Sequence, residues 1–199
     1  LICFFDEEVF RPEEFEIVRR IFINATKNMY RLLNENGKDG YVFRTDLRLR
    51  PDPLVTPVCM GVDPAERYYA SLGRTWERAA FIKARVCAGD HSAGIKFLKN
   101  MEPFVWRKYL DYAAISDAHD IRLRIRDHYK TKMGDITLPK HNMKLGRGGI
   151  RDIELISQLQ QLIRGGNYKS LRTPSTLGAI KSIYLLGFFT KDVFTKLTN

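Results

Sequence analysis

The chain has 199 residues, 44% of them hydrophobic, which is enough apolar material to bury a core as one larger domain or two small ones. With 33 lysines and arginines against 23 acids, its formal charge of +10 directs attention to anionic partners: nucleotides, phosphate, nucleic acid or an acidic protein surface. Cys3, Cys59 and Cys87 have no short mutual spacing, so neither a disulfide framework nor a zinc knuckle is indicated, and no apolar run approaches the roughly 20 residues of a membrane span, so a cytoplasmic protein with no membrane partner is expected.

Residues 1–5 read as a buried strand. No turn precedes them and the first residue is not methionine, so the natural chain is expected to start earlier; the apolar stretch 180–189 near the other end points to a continuation there too. Asp6-Glu7-Glu8 is a polar exit, after which Pro12 and Glu13-Glu14 open a helix running to Asn34, with Val18, Ile21, Phe22, Ala25, Met29 and Leu32 at helical spacing. Asn36-Gly37-Lys38-Asp39-Gly40 is a turn. From 41 to 50 the pattern alternates: Tyr41, Phe43, Thr45, Leu47 and Leu49 on one parity predict a core face, and Val42, Arg44, Asp46, Arg48 and Arg50 form a charged one, until Pro51 and Pro53 end the strand.

Asp63-Pro64-Ala65-Glu66 predicts a helix start capped by Asp63, and Trp76, Ala79, Ala80, Lys83 and Cys87 share a helical face that Gly89-Asp90 terminates. Beyond Met101 the expected elements are helices, over 104–112, 115–132, 150–164 and 176–189. The fold class is therefore α+β and predominantly helical overall, with a mixed unit over residues 1–101 and a helical domain over 102–199.

Asp46, flanked at two-residue spacing by Arg44 and Arg48 with Arg50 beyond, fits a carboxylate that holds Mg²⁺ while guanidiniums take phosphate oxygens. It fits equally a solvated strand face on which Asp46 neutralises its neighbours. The glycine-rich run Lys144-Leu145-Gly146-Arg147-Gly148-Gly149-Ile150-Arg151-Asp152 leads into a helix whose first N–H groups, with Lys144, Arg147 and Arg151, are candidates for phosphate binding; the other reading is an interhelical turn with an Arg151–Glu154 pair. It lacks the lysine-serine/threonine pair of a P-loop. His91, His119, His128 and His141 have no ligand spacing, Trp76 and Trp106 read as core, and Cys3 and Cys87 as small buried side chains. No basic tail or aromatic stacking platform is present, which disfavours nucleic acid as a partner.

The run from Val42 to Pro51 resembles the strand that carries the third catalytic aspartate in the glutamine synthetase adenylyltransferase and adenylyl-removing enzymes. The likeness continues through Tyr68-Tyr69, Gly73-Arg74, Trp76-Glu77-Arg78, Ile82-Lys83-Ala84-Arg85, the run from Pro103 to Asp111, that from Lys144 to Glu154, and Gln161-Leu162-Ile163-Arg164-Gly165-Gly166 with Leu171-Arg172. The resemblance implies the C-terminal part of a DNA-polymerase-β-like nucleotidyltransferase domain, followed by a helical bundle. It implies Mg²⁺, ATP, ADP and inorganic phosphate as cofactor and substrates or products, and glutamine synthetase and a PII-type signal protein as partners. Asp46 is then the metal ligand, Arg44 and Arg48 stabilise charge, and Arg50, Lys83, Arg85, Lys144, Arg147 and Arg151 are candidate nucleotide or phosphate contacts. In this family a glycine-serine loop and a two-aspartate strand precede the region, and both are absent from these 199 residues, so the isolated segment is expected to be inactive. The likeness favours the half that removes AMP by phosphorolysis; the adenylylating half and a non-catalytic helical module binding glutamine synthetase or a PII-type regulator remain alternatives.

Overall fold

The strand expected at the start of the chain forms at Cys3–Phe5 (β1) and pairs with a second short strand, Cys59–Gly61 (β2), parallel to it. The register sets Cys3 opposite Cys59, Phe4 opposite Met60 and Phe5 opposite Gly61. The computed structural model in which this pair is seen describes residues 1–109, 143, 144, 146 and 148–198. The expected helix over 115–132, His119, His128, His141 and Arg147 lie outside the described residues.

Parallel strands cannot be joined by a tight turn, and the chain returns through the helix Phe15–Asn34 (α1). Two 3₁₀ turns, Glu7–Val9 and Pro12–Glu14, precede it, with the Glu14 carboxylate accepting the Arg11 N–H at 3.0 Å. One stripe of α1 covers the sheet. Phe22 stacks on Phe5 with centroids 5.2 Å apart, Phe10 meets Phe22 edge-on, and Phe5, Val18 and Cys59 form the buried centre with Cys3 and Ile23 beside them. Ile21 and Leu32, expected on that stripe, are exposed; the buried Thr26 faces the sheet instead.

The helix Val62–Ser71 (α2) starts one residue beyond Gly61, so Asp63 is not its cap. The acid at this helix start is Glu7, whose carboxylate takes the Asp63 backbone N–H and lies so close to Gly61 that a Cβ there would collide with it. Asp90, read from sequence as a stop, caps a helix that was not expected, His91–Asn100: its carboxylate accepts N–H groups of Ser92 at 2.8 Å and Ala93 at 3.1 Å.

The strand predicted over 41–50 is not formed. An alternating pattern states which faces would be buried, but a strand needs a ladder, and these N–H groups are satisfied elsewhere: Phe43 donates to the Leu33 carbonyl, Thr45 to the Asn34 side chain and Arg48 to its neighbour Asp46. The expected core face is consequently open, with Phe43 66% and Tyr41 54% exposed.

The chain divides into two compact units, Leu1–Gly73 with Val86–Met101, and Arg74–Arg85 with Glu102–Asn199. Residues 74–85, grouped by the sequence reading with the first 101, pack in the second unit. There the helix Thr75–Phe81 (α3) lies against Glu102–Val105 (α5) and Ile150–Arg164 (α6), numbering His91–Asn100 as α4. Buried Arg78 donates to the Val105 carbonyl at 3.2 Å and Phe81 meets Phe104 edge-on. Helix α3 stops well short of Cys87, which is exposed rather than buried. Helix α6 has the bounds its periodicity predicts, whereas Thr176–Leu185 (α7) ends four residues early: Gly187 turns into the left-handed region at φ +78°, the Phe188 N–H closes on the Ile183 carbonyl, and Lys191–Thr198 (α8) follows.

Two glycines after α6 have a packing cause. At Gly165 an added Cβ would meet the Trp106 ring at 2.6 Å, and at Gly166 it would strike the Arg107 carbonyl. Gln161, 2% exposed, fixes the following turn by donating to the Leu171 carbonyl at 2.6 Å and the Thr173 carbonyl at 2.8 Å. Among the described residues the chain is thus mostly helical with a small parallel sheet, compatible with α+β. Replacing Gln161 by Leu strands two carbonyls in the interior, and urea unfolding should report a loss of about 1–3 kcal/mol.

Candidate functional site

The segment bearing Asp46 is held by a guanidinium rather than by a sheet. Arg50 donates from Nη1 to the Leu47 carbonyl at 2.8 Å, from Nη2 to the Pro53 carbonyl at 2.8 Å and from Nε to the Thr56 carbonyl at 3.2 Å. Thr56 Oγ1 completes the closure on the Pro51 and Asp52 carbonyls, with Asp52 at φ +33° in the left-handed region that aspartate tolerates. Arg50, expected to meet phosphate, is thereby committed to bracing residues 47–56. Just before this brace, the Asp46 carbonyl accepts the Leu1 nitrogen at 2.7 Å, which sets the segment beside the start of the first unit's chain.

Asp46 itself is engaged by Arg48. Oδ1 takes the Arg48 backbone N–H at 2.8 Å, Nε lies 3.0 Å from both carboxylate oxygens, and Nη2 donates to Oδ2 at 2.6 Å. The Arg48 side-chain hydrogen bonds, and then its backbone N–H, hold the Asp46 carboxyl at about 2, below its usual 3.8. The pair remains in solvent, with the Asp46 side chain 50% and the Arg48 side chain 84% exposed. Arg44 is exposed nearby in sequence, with no hydrogen bond or ion pair to a described residue. The sequence thus brings Asp46 and Arg48 into contact through an Asx-type turn, not through strand alternation.

The remaining candidates belong to the second unit. Lys83 Nζ pairs with Glu154 Oε1 at 2.6 Å, both side chains 39% exposed, so Glu154 is bound to a lysine distant in sequence rather than to Arg151. Arg85 and Arg151 are exposed. The glycine-rich turn is closed on itself: Gly149 donates to the Gly146 carbonyl at 2.9 Å, Ile150 to the Met143 carbonyl at 2.9 Å and Arg151 to the Lys144 carbonyl at 3.2 Å, while the Gly148 N–H, at a residue with φ +75°, donates to Asp152 Oδ2 at 3.0 Å. The backbone donors proposed for a phosphate are therefore spent on the chain's own oxygens, and Asp152 stands where the anion was expected. Trp106 is not core but one wall of a cavity of roughly 700 Å³ with Glu102, Pro103, Arg107, Lys108, Tyr109 and Arg172, where Arg172 pairs with Glu102 at 3.1 Å. The Lys83–Glu154 pair and the buried Glu77 and Arg78 were missed by the sequence reading: the first joins residues far apart in the chain, and the second lies on a helix whose partners were not assigned.

Among the described residues no three His, Cys, Asp or Glu side chains converge, and the Asp46 carboxylate, expected as one metal ligand of a set whose other members lie outside these 199 residues, is engaged by Arg48. No described helix is long and apolar enough to cross a membrane.

Residues 9–100 match the family model of glutamate-ammonia ligase adenylyltransferase, and residues 119–199 match that of GlnD PII-uridylyltransferase. Over 96% of its length the chain is 46% identical to a protein of Mesorhizobium japonicum, and over 99% it is 47% identical to one of Bartonella quintana. Over 88% it is 51% identical to one of Rhizobium meliloti. Each of these relatives is named a bifunctional glutamine synthetase adenylyltransferase/adenylyl-removing enzyme, and the chain spans 19%, 20% and 18% of their respective lengths.

Because the folded pKa of Asp46 is depressed, its contribution to stability is present above the ordinary carboxylate value and lost as pH falls from 3.8 through about 2; half exposure keeps it small. In Arg48→Gln the Asp46 midpoint, followed by the NMR shift of its carboxyl carbon, should rise toward 3.8.

Proposed function

We propose that this chain, which belongs to the family of bifunctional glutamine synthetase adenylyltransferase/adenylyl-removing enzymes, is the part of a nucleotidyltransferase that supplies Asp46 and its arginines to the removal of AMP from adenylylated glutamine synthetase. The observation that carries this reading is the solvent-facing Asp46–Arg48 pair on a braced segment, within the residues that match the adenylyltransferase model. In the family reaction, a phosphate oxygen attacks the adenylyl phosphorus, the bond from phosphorus to the tyrosine oxygen breaks, and ADP and the tyrosine side chain separate. Arg44 and Arg48 supply charge-assisted hydrogen bonds to phosphoryl oxygens; a guanidinium presents paired donors and stays protonated across the working range. Asp46 holds Arg48 in a fixed orientation, so that little reordering is needed when phosphate arrives. Asp46 would hold Mg²⁺ together with carboxylates outside these residues, and the bound ion would offset charge on the phosphoryl oxygens.

ATP and ADP as nucleotides and glutamine synthetase as target follow from the same membership. A PII-type protein as regulator is supported by the match of residues 119–199 to a model whose name carries PII. Lys83, Arg85, Lys144, Arg147 and Arg151 have a weaker claim on the nucleotide, Lys83 because it is paired with Glu154.

The full-length protein separates these readings. Asp46→Asn should lower phosphate-dependent release of AMP as ADP by about 10²-fold or more, with the thermal midpoint little changed because an exposed pair contributes about 0–1 kcal/mol. Loss of ATP-dependent addition alone would assign the chain to the adenylylating half. If both activities survive while glutamine synthetase still binds, the segment is a non-catalytic module.

A further inference from the structure

The parallel register places Cys3 directly opposite Cys59, and residues paired in this way project to the same side of a sheet. That side faces α1, whose buried Thr26 side chain lies beside both thiols. Neighbouring strands lie about 4.7–4.9 Å apart, inside the roughly 4.4–6.8 Å Cα separation that a disulfide spans but short of its preferred value, so a bond here is formable, strained and easily reduced. We propose that Cys3 and Cys59 are a vicinal dithiol that closes reversibly into a disulfide across the β1–β2 pair.

The chemistry balances with a hydroperoxide as oxidant. The Cys3 sulfur, partly exposed where Cys59 is 2% exposed, attacks the peroxide oxygen; the O–O bond breaks, an alcohol or water departs, and Cys3 becomes a sulfenic acid. The Cys59 sulfur then attacks the Cys3 sulfur and water leaves. Two thiols are oxidised by one electron each and the peroxide is reduced by two. A dithiol reductant reverses the bond by exchange. Burial pushes both thiols up from their ordinary value, so Cys3 attacks a hydroperoxide only through a small thiolate fraction and closure is slow, while the exposed Cys87 is the more open thiol to a bulky alkylating reagent. The closed bond would tie the chain ends of a loop that contains α1 and the Asp46 segment, a covalent constraint independent of the catalytic proposal above.

The test uses the full-length protein with hydrogen peroxide as probe. After oxidation, denaturation and alkylation, non-reducing peptide mapping should recover the Cys3 and Cys59 peptides joined and lighter by two hydrogens (~2 Da) than the reduced pair, with dithiothreitol restoring both thiols. Cys87→Ser should leave this product intact, and Cys3→Ser should abolish it. Recovery of Cys3 and Cys59 as two alkylated thiols while Cys87 alone is oxidised, or a Cys3–Cys87 linkage in place of Cys3–Cys59, would overturn the proposal. Both readouts come from the unsubstituted protein, so misfolding of a variant does not cloud them.

Discussion

Two parallel strands need a long return path, and this requirement organises the first unit. The path is α1, and once it is laid over the sheet its inward stripe must be apolar enough to cover β1 and β2, which Phe22, stacked on Phe5, and Val18, buried with Phe5 and Cys59, achieve. Because α1 ends at Asn34 on one side and β2 begins at Cys59 on the other, the intervening residues are fixed at both ends. They cross the beginning of the chain near Leu1 and present Asp46 there. The carboxylate owes its place to the crossover and not to a strand of its own.

Two helices were legible from the spacing of their apolar residues. Residues 150–164 keep one inward face ending in Gly165, and 15–34 follow a proline and two acids; both form as read. The segment 41–50 has an equally clear pattern and failed, since alternation describes side chains while a strand is made by a neighbour's backbone, which sequence spacing does not supply. Asp90 was misread for a related reason: the same side chain that closes one element can open another. The glycines of the resemblance motifs were found as glycines, but their cause, contact with Trp106 and Arg107, depends on packing between segments distant in sequence.

The charged candidates separate by what already satisfies them. Arg50 is spent on three carbonyls, the donors of the glycine turn on the chain's own oxygens, and Lys83 on Glu154; Arg44 and Arg48 keep donors toward solvent. Among these candidates, net charge therefore overstates the donors left open to an anion. Sequence gave each of these residues the same apparent claim, because formal charge does not reveal which lone pairs a side chain has met.

The guanidinium brace at Arg50 bears on how the first unit responds to acid. Arginine stays protonated far beyond the range in which Asp46 gains a proton, and its acceptors are amide oxygens that do not titrate. Electrostatics and shape are thus uncoupled over this stretch: neutralising the carboxylate releases Arg48 from its partner while the scaffold beneath retains its contour.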